Sequence, residues 1–565
     1  MRTQRLTAKM PEVAVRTGYV DTFCADRLPP IALWPVRDWT GIPELAYPER
    51  LNCAAELLDR MVDSGAAERP VFRYVGGTWT YRRLLETSNR IAHALVDDLG
   101  LVPGNRVLLR GPNNPMLAAC WFGVLKAGGV VVCTMPLLRE REIRYLADKA
   151  EITLALADVR FVAECDDGFR TRKDGSSREG AHVISFSDGE TARPETGSIE
   201  SLMRDKSTTF ENCDTAAEDI AIIAFTSGTT GEGKGTMHSH RDIMAITDCF
   251  PRYVLKPSAD DLFCGSPPLA FTYALGGLLL FPMRFGACSL LLEQATPPNL
   301  IKAIAEFRPT VCFTAPTAYR AICGMLAGHD VSSLRKCVSA GETLPLSVYE
   351  SWLNATGLKI IDGIGATEML HIFISAADDE IRPGATGKVV PGYEAKIVDD
   401  DGNDAAVGSV GRLAVRGPTG CRYLDNIEQQ KKYVENGWNL TGDSYKLDTD
   451  GYFWYQARTD DMIISGGYNI AGPEVENVLL EHPAVLECAV VGEPDEERGH
   501  VVKAVIVLKP EREGSDVLRK ELQDFVKARI APYKYPRRVE FVSMLPRTAT
   551  GKLQRYRLRE TEGTR

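Results

Sequence analysis

The chain has 565 residues, too many for one hydrophobic core, so two or more domains are expected. Hydrophobic residues at 44% and charged residues at 25% are those of a soluble globular protein, and a net charge of −10 argues against nucleic acid or an anionic membrane as the main partner. The 14 cysteines include no C-x-x-C pair, which speaks against a zinc site and for buried, reduced thiols in a reducing compartment, here read as the cytoplasm.

The first residues carry Arg2, Arg5, Lys9 and Arg16 without an apolar segment, which is no secretory signal; whether this basic stretch targets an organelle stays open. Residues 21–50 are rich in Pro and Trp and are expected to form an irregular arm laid over the body. Leu51 to Met61 and Tyr81 to Val96 have helical spacing. Arg106 to Arg110, Val130 to Cys133 and Ile152 to Ala157 are strands alternating with helices, the pattern of a parallel sheet. The most apolar run, Leu117 to Leu138, is broken by Lys126 and Gly128-Gly129 and reads as a buried helix, a turn and a strand, not a membrane span. From Asp166 to Glu218 charges, Gly and Ser dominate, and surface loops are expected around one strand, Val183 to Phe186.

Ala221 to Phe225 is an apolar strand running into Thr226-Ser227-Gly228-Thr229-Thr230-Gly231-Glu232-Gly233-Lys234-Gly235. Glycines let the backbone approach a ligand, while N–H groups, hydroxyls and the Lys ammonium donate to it. The ligand implied is a polyphosphate, against the plainer reading of a Ser/Gly-rich hairpin. Gly228 to Lys234 has the spacing of a Walker loop, but Gly235 stands where that loop needs a hydroxyl for Mg²⁺. His238 and His240 follow; they lack a third ligand at metal spacing, so packing or hydrogen bonding is the expected role.

Further on, Leu262 to Cys264 is a strand, Pro267 to Pro282 is rich in Gly and aromatics, and residues 300–328 are expected to be helical around a strand Thr310 to Thr314. Leu334 to Val338 and Ile360-Ile361 are strands, each expected to end in a Gly-bearing acidic turn, Ser339-Ala340-Gly341-Glu342 and Asp362-Gly-Ile-Gly-Ala-Thr-Glu368, the second with Asp362-Gly363 at its start. Past Gly387 short strands and tight turns mark a β subdomain to about residue 457. Residues 458–565 form a small unit with helices Pro473 to His482 and Val517 to Arg529 and strands Val485 to Val491 and Val501 to Leu508.

The loop 226–235, Ser339-Ala-Gly-Glu342, Gly365-Ala-Thr-Glu368, Thr441-Gly-Asp443, Arg458-x-Asp460 and Gly551-Lys552, in that order, resemble the acyl-CoA synthetase, adenylation-domain and luciferase superfamily over nearly the whole chain. Gly233 stands where that family usually has Pro, and Ile364 where many relatives have a Tyr stacked on adenine. The arm (L-P-P-x-x-L-W-P, Y-P-E-R-L-N-C-A-A-E-L-L-D) and G-A-T-E-M-L-H-I-F are similar to the benzoate-type CoA ligases, with the 2-aminobenzoate enzymes as the nearest group.

The resemblance implies an α/β fold. It has a large N-terminal domain (1–457) of sheets with flanking helices plus the β subdomain, and a small α+β C-terminal lid (458–565). It implies joining of an aromatic carboxylic acid to coenzyme A through an acyl-AMP, with ATP and Mg²⁺. Thr226, Ser227, Gly228, Thr229, Thr230, Gly231 and Lys234 would hold phosphates; Gly341, Glu342, Asp362, Gly363, Asp443 and Arg458 would line the nucleotide. Thr367 would contact the α-phosphate, Glu368 would hold Mg²⁺ and Lys552 would act from the lid. Asp460 would be the hinge, and Gly466, Gly467 and Tyr468 would meet CoA. For the acid, Thr272, Tyr273, Gly365 and His371 are the candidates. Glu342 as a helix-start residue and His371 as a core histidine are the competing readings. Transfer to a carrier-protein thiol, a fatty-acid substrate, a P-loop NTPase and a non-catalytic relative are the alternatives, and a homodimer is left open.

Overall fold

The structure is a computed structural model that describes residues 16–38, 41–187, 197–226, 233–399, 401–458, 461–465, 468–495, 498–530, 532–547 and 553–559. Two large sheets form the body. One runs in the order His182–Phe186, Leu154–Asp158, Arg106–Arg110, Val130–Thr134, Ile220–Phe225, Gly235–Ser239. Its first five strands are parallel and the last is antiparallel. The strand Arg106–Arg110 is buried along its whole length, as a parallel strand covered on both faces must be. The second sheet has at its centre the parallel strands Lys336–Ser339, Val311–Thr314, Leu262–Gly265 and Cys288–Leu290.

The apolar run through residue 126 folds into the buried helix Pro115–Lys126, capped by Asn114, whose side chain accepts from Leu117 N–H. Lys126, the charge inside it, is neutralised by Asp59 at 2.6 Å. Among the described residues, no helix is long and apolar enough to cross a membrane. All 14 cysteines are unpaired.

Two local expectations need correction. Asp166 to Arg170 is not loop: it ends the helix Val162–Arg170, whose inner face buries Cys165 and Phe169 beneath a polar exterior. Asp362-Gly363 is not a turn. The strand Ile360–Gly365 runs straight through it, parallel to one neighbour and then antiparallel to Ile372–Ser375. Thr441-Gly442-Asp443 lies within the long strand Trp438–Leu447.

That strand belongs to the β subdomain, a five-stranded sheet that also holds Glu394–Val398, Val410–Arg416 and Phe453–Arg458. The C-terminal unit has its own five-stranded sheet and its own core around Val475, Leu479, Val502, Ile506 and Leu522. Its long hairpin Val485–Asp495 and Gly499–Leu508 extends past the expected strand ends, and a strand Arg538–Phe541 and a short helix Arg555–Arg559 join it.

Candidate functional site

Ser339-Ala340-Gly341-Glu342 and Asp362 lie at the carboxyl ends of the second sheet's parallel strands. Cross-strand register pairs Phe313 with Gly265, Thr314 with Ser339, and Ser339 with Asp362, so the strands end along one edge. Ligands of open α/β sheets bind outside such an edge. A cleft of about 790 Å³ lined by Arg69, Arg73, Asp260 and Arg308 lies at the opposite, N-terminal ends of Leu262–Gly265 and Val311–Thr314. Arg69 and Arg308 there are paired with Asp260 and Asp330, and none of the motif residues is present.

Asp362 offers an acceptor at this edge. Its Oδ1 is buried without a hydrogen-bond partner among the described residues, and burial pushes its carboxyl up to about 8 despite a backbone hydrogen bond from Gly363. A group bearing an N–H donor, such as an exocyclic amine, would satisfy it. Asp443 sits on the neighbouring β subdomain, where its Oδ1 accepts from Arg458 at 3.2 Å across the pair Asp443–Arg458. Gly442 takes φ +78°, and a Cβ there would lie 2.9 Å from the Arg458 guanidinium. The glycine is what lets the two side chains meet.

Glu342 is not a helix-start residue, since the next helix begins at Leu346. Burial raises its carboxyl, and Arg547 of the C-terminal unit, 3.7 Å away, partly offsets that. Thr367 and Glu368 lie in one short helical turn, Thr367–Met369. The Thr367 carbonyl accepts from His238 Nε2 at 2.8 Å. Burial drops His238 to about 4, so the ring is neutral with its proton on Nε2. His240 begins the next helix, and its Nδ1 accepts the Cys53 N–H, which settles the pair as hydrogen-bonding residues. Glu368 Oε1 accepts from the Tyr423 hydroxyl at 2.7 Å. Leu370, fully buried, has φ +70°, strain on the order of 1–3 kcal/mol stored between Glu368 and His371.

His371 lies in an aromatic cage. Its ring meets Phe281 edge-on at 4.4 Å, with Tyr273 and Phe250 at 5.8 and 5.9 Å. Nε2 donates to the Tyr273 carbonyl, while Nδ1 is buried and, among the described residues, unpartnered. A Cβ on Gly276 would sit 2.3 Å from His371 Cδ2, so the glycine admits the ring. Thr272 is buried, and Tyr273 donates its hydroxyl to the carbonyls of Val338 and Thr314. Gly365 pairs with Ile372, directly after His371.

The phosphate-loop candidates are described only at their flanks. Thr226 N–H donates to the Lys234 carbonyl at 2.9 Å, closing the loop's base, and the Tyr145 hydroxyl donates to the Gly233 carbonyl at 2.7 Å. Ser227, Gly228, Thr229, Thr230 and Gly231 lie outside the described residues, as do Asp460, Gly466, Gly467 and Lys552. Tyr468 is described only as part of the strand Tyr468–Ile470.

Residues 60–423 match the AMP-binding enzyme family, and residues 474–552 match the AMP-binding enzyme C-terminal domain. The chain belongs to the AMP-binding enzyme family. A benzoate–CoA ligase from Thauera aromatica is 36% identical over 92% of this chain and 97% of the relative. The human mitochondrial acyl-coenzyme A synthetase ACSM3 is 33% identical over 92% of this chain and 91% of the relative. A crystal structure of the anthranilate CoA ligase AuaEII with anthranoyl-AMP superposes with a TM-score of 0.84 at 34% identity, covering 91% of this chain and 98% of that one. The protein is therefore an AMP-forming acid–CoA ligase of the benzoate type, with ATP and coenzyme A as its substrates.

Residues outside the motifs complete the site. Tyr145, Tyr423, His238 and Arg547 touch motif residues yet carry no catalytic spacing. A lone Tyr or Arg has no signal until its partner is known.

Proposed function

We propose that this ligase activates an aromatic carboxylic acid, favouring one with an amino or hydroxyl group ortho to the carboxylate, and transfers it to coenzyme A. The observation that carries the reading is His371. Its Nε2–H is committed to the Tyr273 carbonyl, so neutral Nδ1 is left as a buried acceptor among flat aromatic side chains, three residues after Glu368. An ortho N–H or O–H would satisfy that acceptor; a bare ring would not. Burial drops His371 to about 3, so the acceptor persists throughout the neutral range. Thr272 adds a hydroxyl and Tyr273 a flat wall.

In this reading the loop 226–235 holds the phosphates, Asp362 and Gly363 face adenine, and Asp443 and Arg458 face the ribose. Thr367 contacts the α-phosphate. Glu368 suits Mg²⁺: a single hard carboxylate is enough when phosphates and water complete the shell. Its Oε1 is occupied by Tyr423, and among the described residues no donor meets Oε2. The ion would neutralise phosphate charge as the carboxylate attacks. Lys552 would act from the lid 458–565, hinged at Asp460, with Gly466, Gly467 and Tyr468 along the CoA path. The unpaired thiols fit the cytoplasm.

A panel of benzoate, 2-aminobenzoate, 2-hydroxybenzoate, 4-hydroxybenzoate and a medium-chain fatty acid, ranked by kcat/KM with CoA, tests the reading. The ortho-substituted acids should lead, with AMP and pyrophosphate as products. Preference for the fatty acid or the para-substituted ring would overturn it, and pyrophosphate exchange without CoA consumption would point to a carrier-protein thiol.

A further inference from the structure

Residues 422–424 tie two parts of the site together. They run alongside the strand that leaves the phosphate loop: Met237 N–H donates to the Arg422 carbonyl at 2.8 Å, and Leu424 N–H donates to the Gly235 carbonyl at 2.9 Å. Thr236 and Tyr423 form a bridge between them. Tyr423 is 1% exposed, its ring edge-on to Tyr433 at 5.8 Å and its N–H held by Gln430 Oε1 at 2.9 Å. The ring therefore has little freedom, and its hydroxyl reaches Glu368 Oε1 at 2.7 Å.

Behind this segment lies a buried charge cluster. Arg422 pairs with Asp242, and Arg37 of the N-terminal arm pairs with Asp242 at 2.5 Å and with Glu218 at 2.6 Å. Arg37 also donates to the Pro418 carbonyl at 3.1 Å, and Gln430 donates to the Leu33 carbonyl at 2.9 Å. The arm thus braces the segment that carries Tyr423.

We propose that Tyr423 is a positioning residue for the metal-binding carboxylate: its hydroxyl fixes Glu368 Oε1 so that Oε2 is presented to the cation in step with the phosphate loop. A glutamate side chain has three torsions, and a charge-assisted hydrogen bond from a fixed phenol removes most of that freedom before the metal arrives. The inference rests on the assignment of Glu368 to Mg²⁺ above.

The test is calorimetric binding of α,β-methylene-ATP to the full chain, with Mg²⁺ and with EDTA, in wild type, Tyr423→Phe and Glu368→Gln. The phenylalanine removes one oxygen and keeps the buried ring. Wild type should bind more tightly with Mg²⁺, and Glu368→Gln should lose that gain. Tyr423→Phe should lose about tenfold of it, the usual effect of removing a ligand's outer hydrogen bond, with its EDTA affinity unchanged. If Tyr423→Phe keeps the whole gain while Glu368→Gln loses it, the positioning role is overturned. Equal weakening of Tyr423→Phe with Mg²⁺ and with EDTA means a merely structural tyrosine and also overturns it. A gain kept in Glu368→Gln removes the metal assignment, and this inference with it.

Discussion

On the nucleotide side, Ser339 and Asp362 sit in register on paired strands, and a chain of contacts runs from Arg37 through Asp242 and Arg422 to Tyr423 and Glu368. The C-terminal unit reaches that side differently: Arg547 approaches Glu342 at 3.7 Å, and Arg320 donates to the Leu486 carbonyl at 3.4 Å. Within itself that unit is well braced, with Arg555 on Glu476 and Arg559 on Asp461, the residue after the hinge candidate. The contrast is between a half fixed by buried ion pairs and a half that coheres internally and meets the first through the partly exposed Arg547–Glu342 pair. The second arrangement is what a lid needs if it is to leave and return as a body.

The largest expected effect comes from stiffening the C-terminal side. Asp460→Pro fixes φ and restricts the preceding residue. It should keep pyrophosphate release near the wild-type rate and abolish thioester formation; unchanged overall turnover would mean that Asp460 is not a pivot.

Next is the fixed side. Burial pushes Asp242 up, but the guanidiniums of Arg37 and Arg422 outweigh that and hold it down to about 2. Asp242→Ala removes the buried carboxylate that two arginines share and leaves them only Glu218, a loss on the order of 3–5 kcal/mol. Chemical denaturation should show that loss, with ATP affinity falling alongside. A change below about 1 kcal/mol would show that the cluster is not what holds the segment.

Asp362 gives a pH signature. Its carboxyl is raised from 3.8 to about 8 by burial, so the folded state holds a proton that the unfolded chain releases. Its contribution is full below about pH 4 and is lost as pH rises toward 8, by up to ~1.4 kcal/mol per pH unit. Asp362→Asn should therefore gain stability over wild type as pH rises from 5 to 8, read as diverging Tm values. Parallel Tm curves would show that no proton is held there.

The smallest effect belongs to the docking contact. Glu342 and Arg547 are 22% and 29% exposed, so the pair contributes less than about 1 kcal/mol and is screened by salt. Arg547→Ala should alter adenylation by less than about fivefold, with the difference vanishing at high ionic strength; a larger, salt-independent loss would make the docking as rigid as the other half.

The sequence carries these halves unequally. Short runs such as Val107 to Leu109 within Arg106–Arg110, and Val311–Thr314, announce strands because the middle of a buried parallel strand is apolar on both faces. The ordered motifs bring out Asp362, Glu368 and Asp443 because their chemistry is local to a few residues. Arg37, Asp242 and Arg422 are invisible in that way: Arg37 and Asp242 are 205 positions apart, and only the folded chain makes them one cluster. Asp362-Gly363 reads as a turn because glycine usually marks one. Here the glycine lies in a strand that changes partners from parallel to antiparallel, a choice made by the sheet and not by the dipeptide.

The account turns on one half being fixed and the other supplying a lysine only for the first step. Lys552→Ala, assayed in the two half-reactions separately, tests this most directly. Pyrophosphate release from ATP and 2-aminobenzoate should slow by ~10²-fold or more, as when one transition-state contact is removed, while supplied acyl-adenylate and CoA still give thioester at close to the wild-type rate. Equal loss in both half-reactions would contradict it.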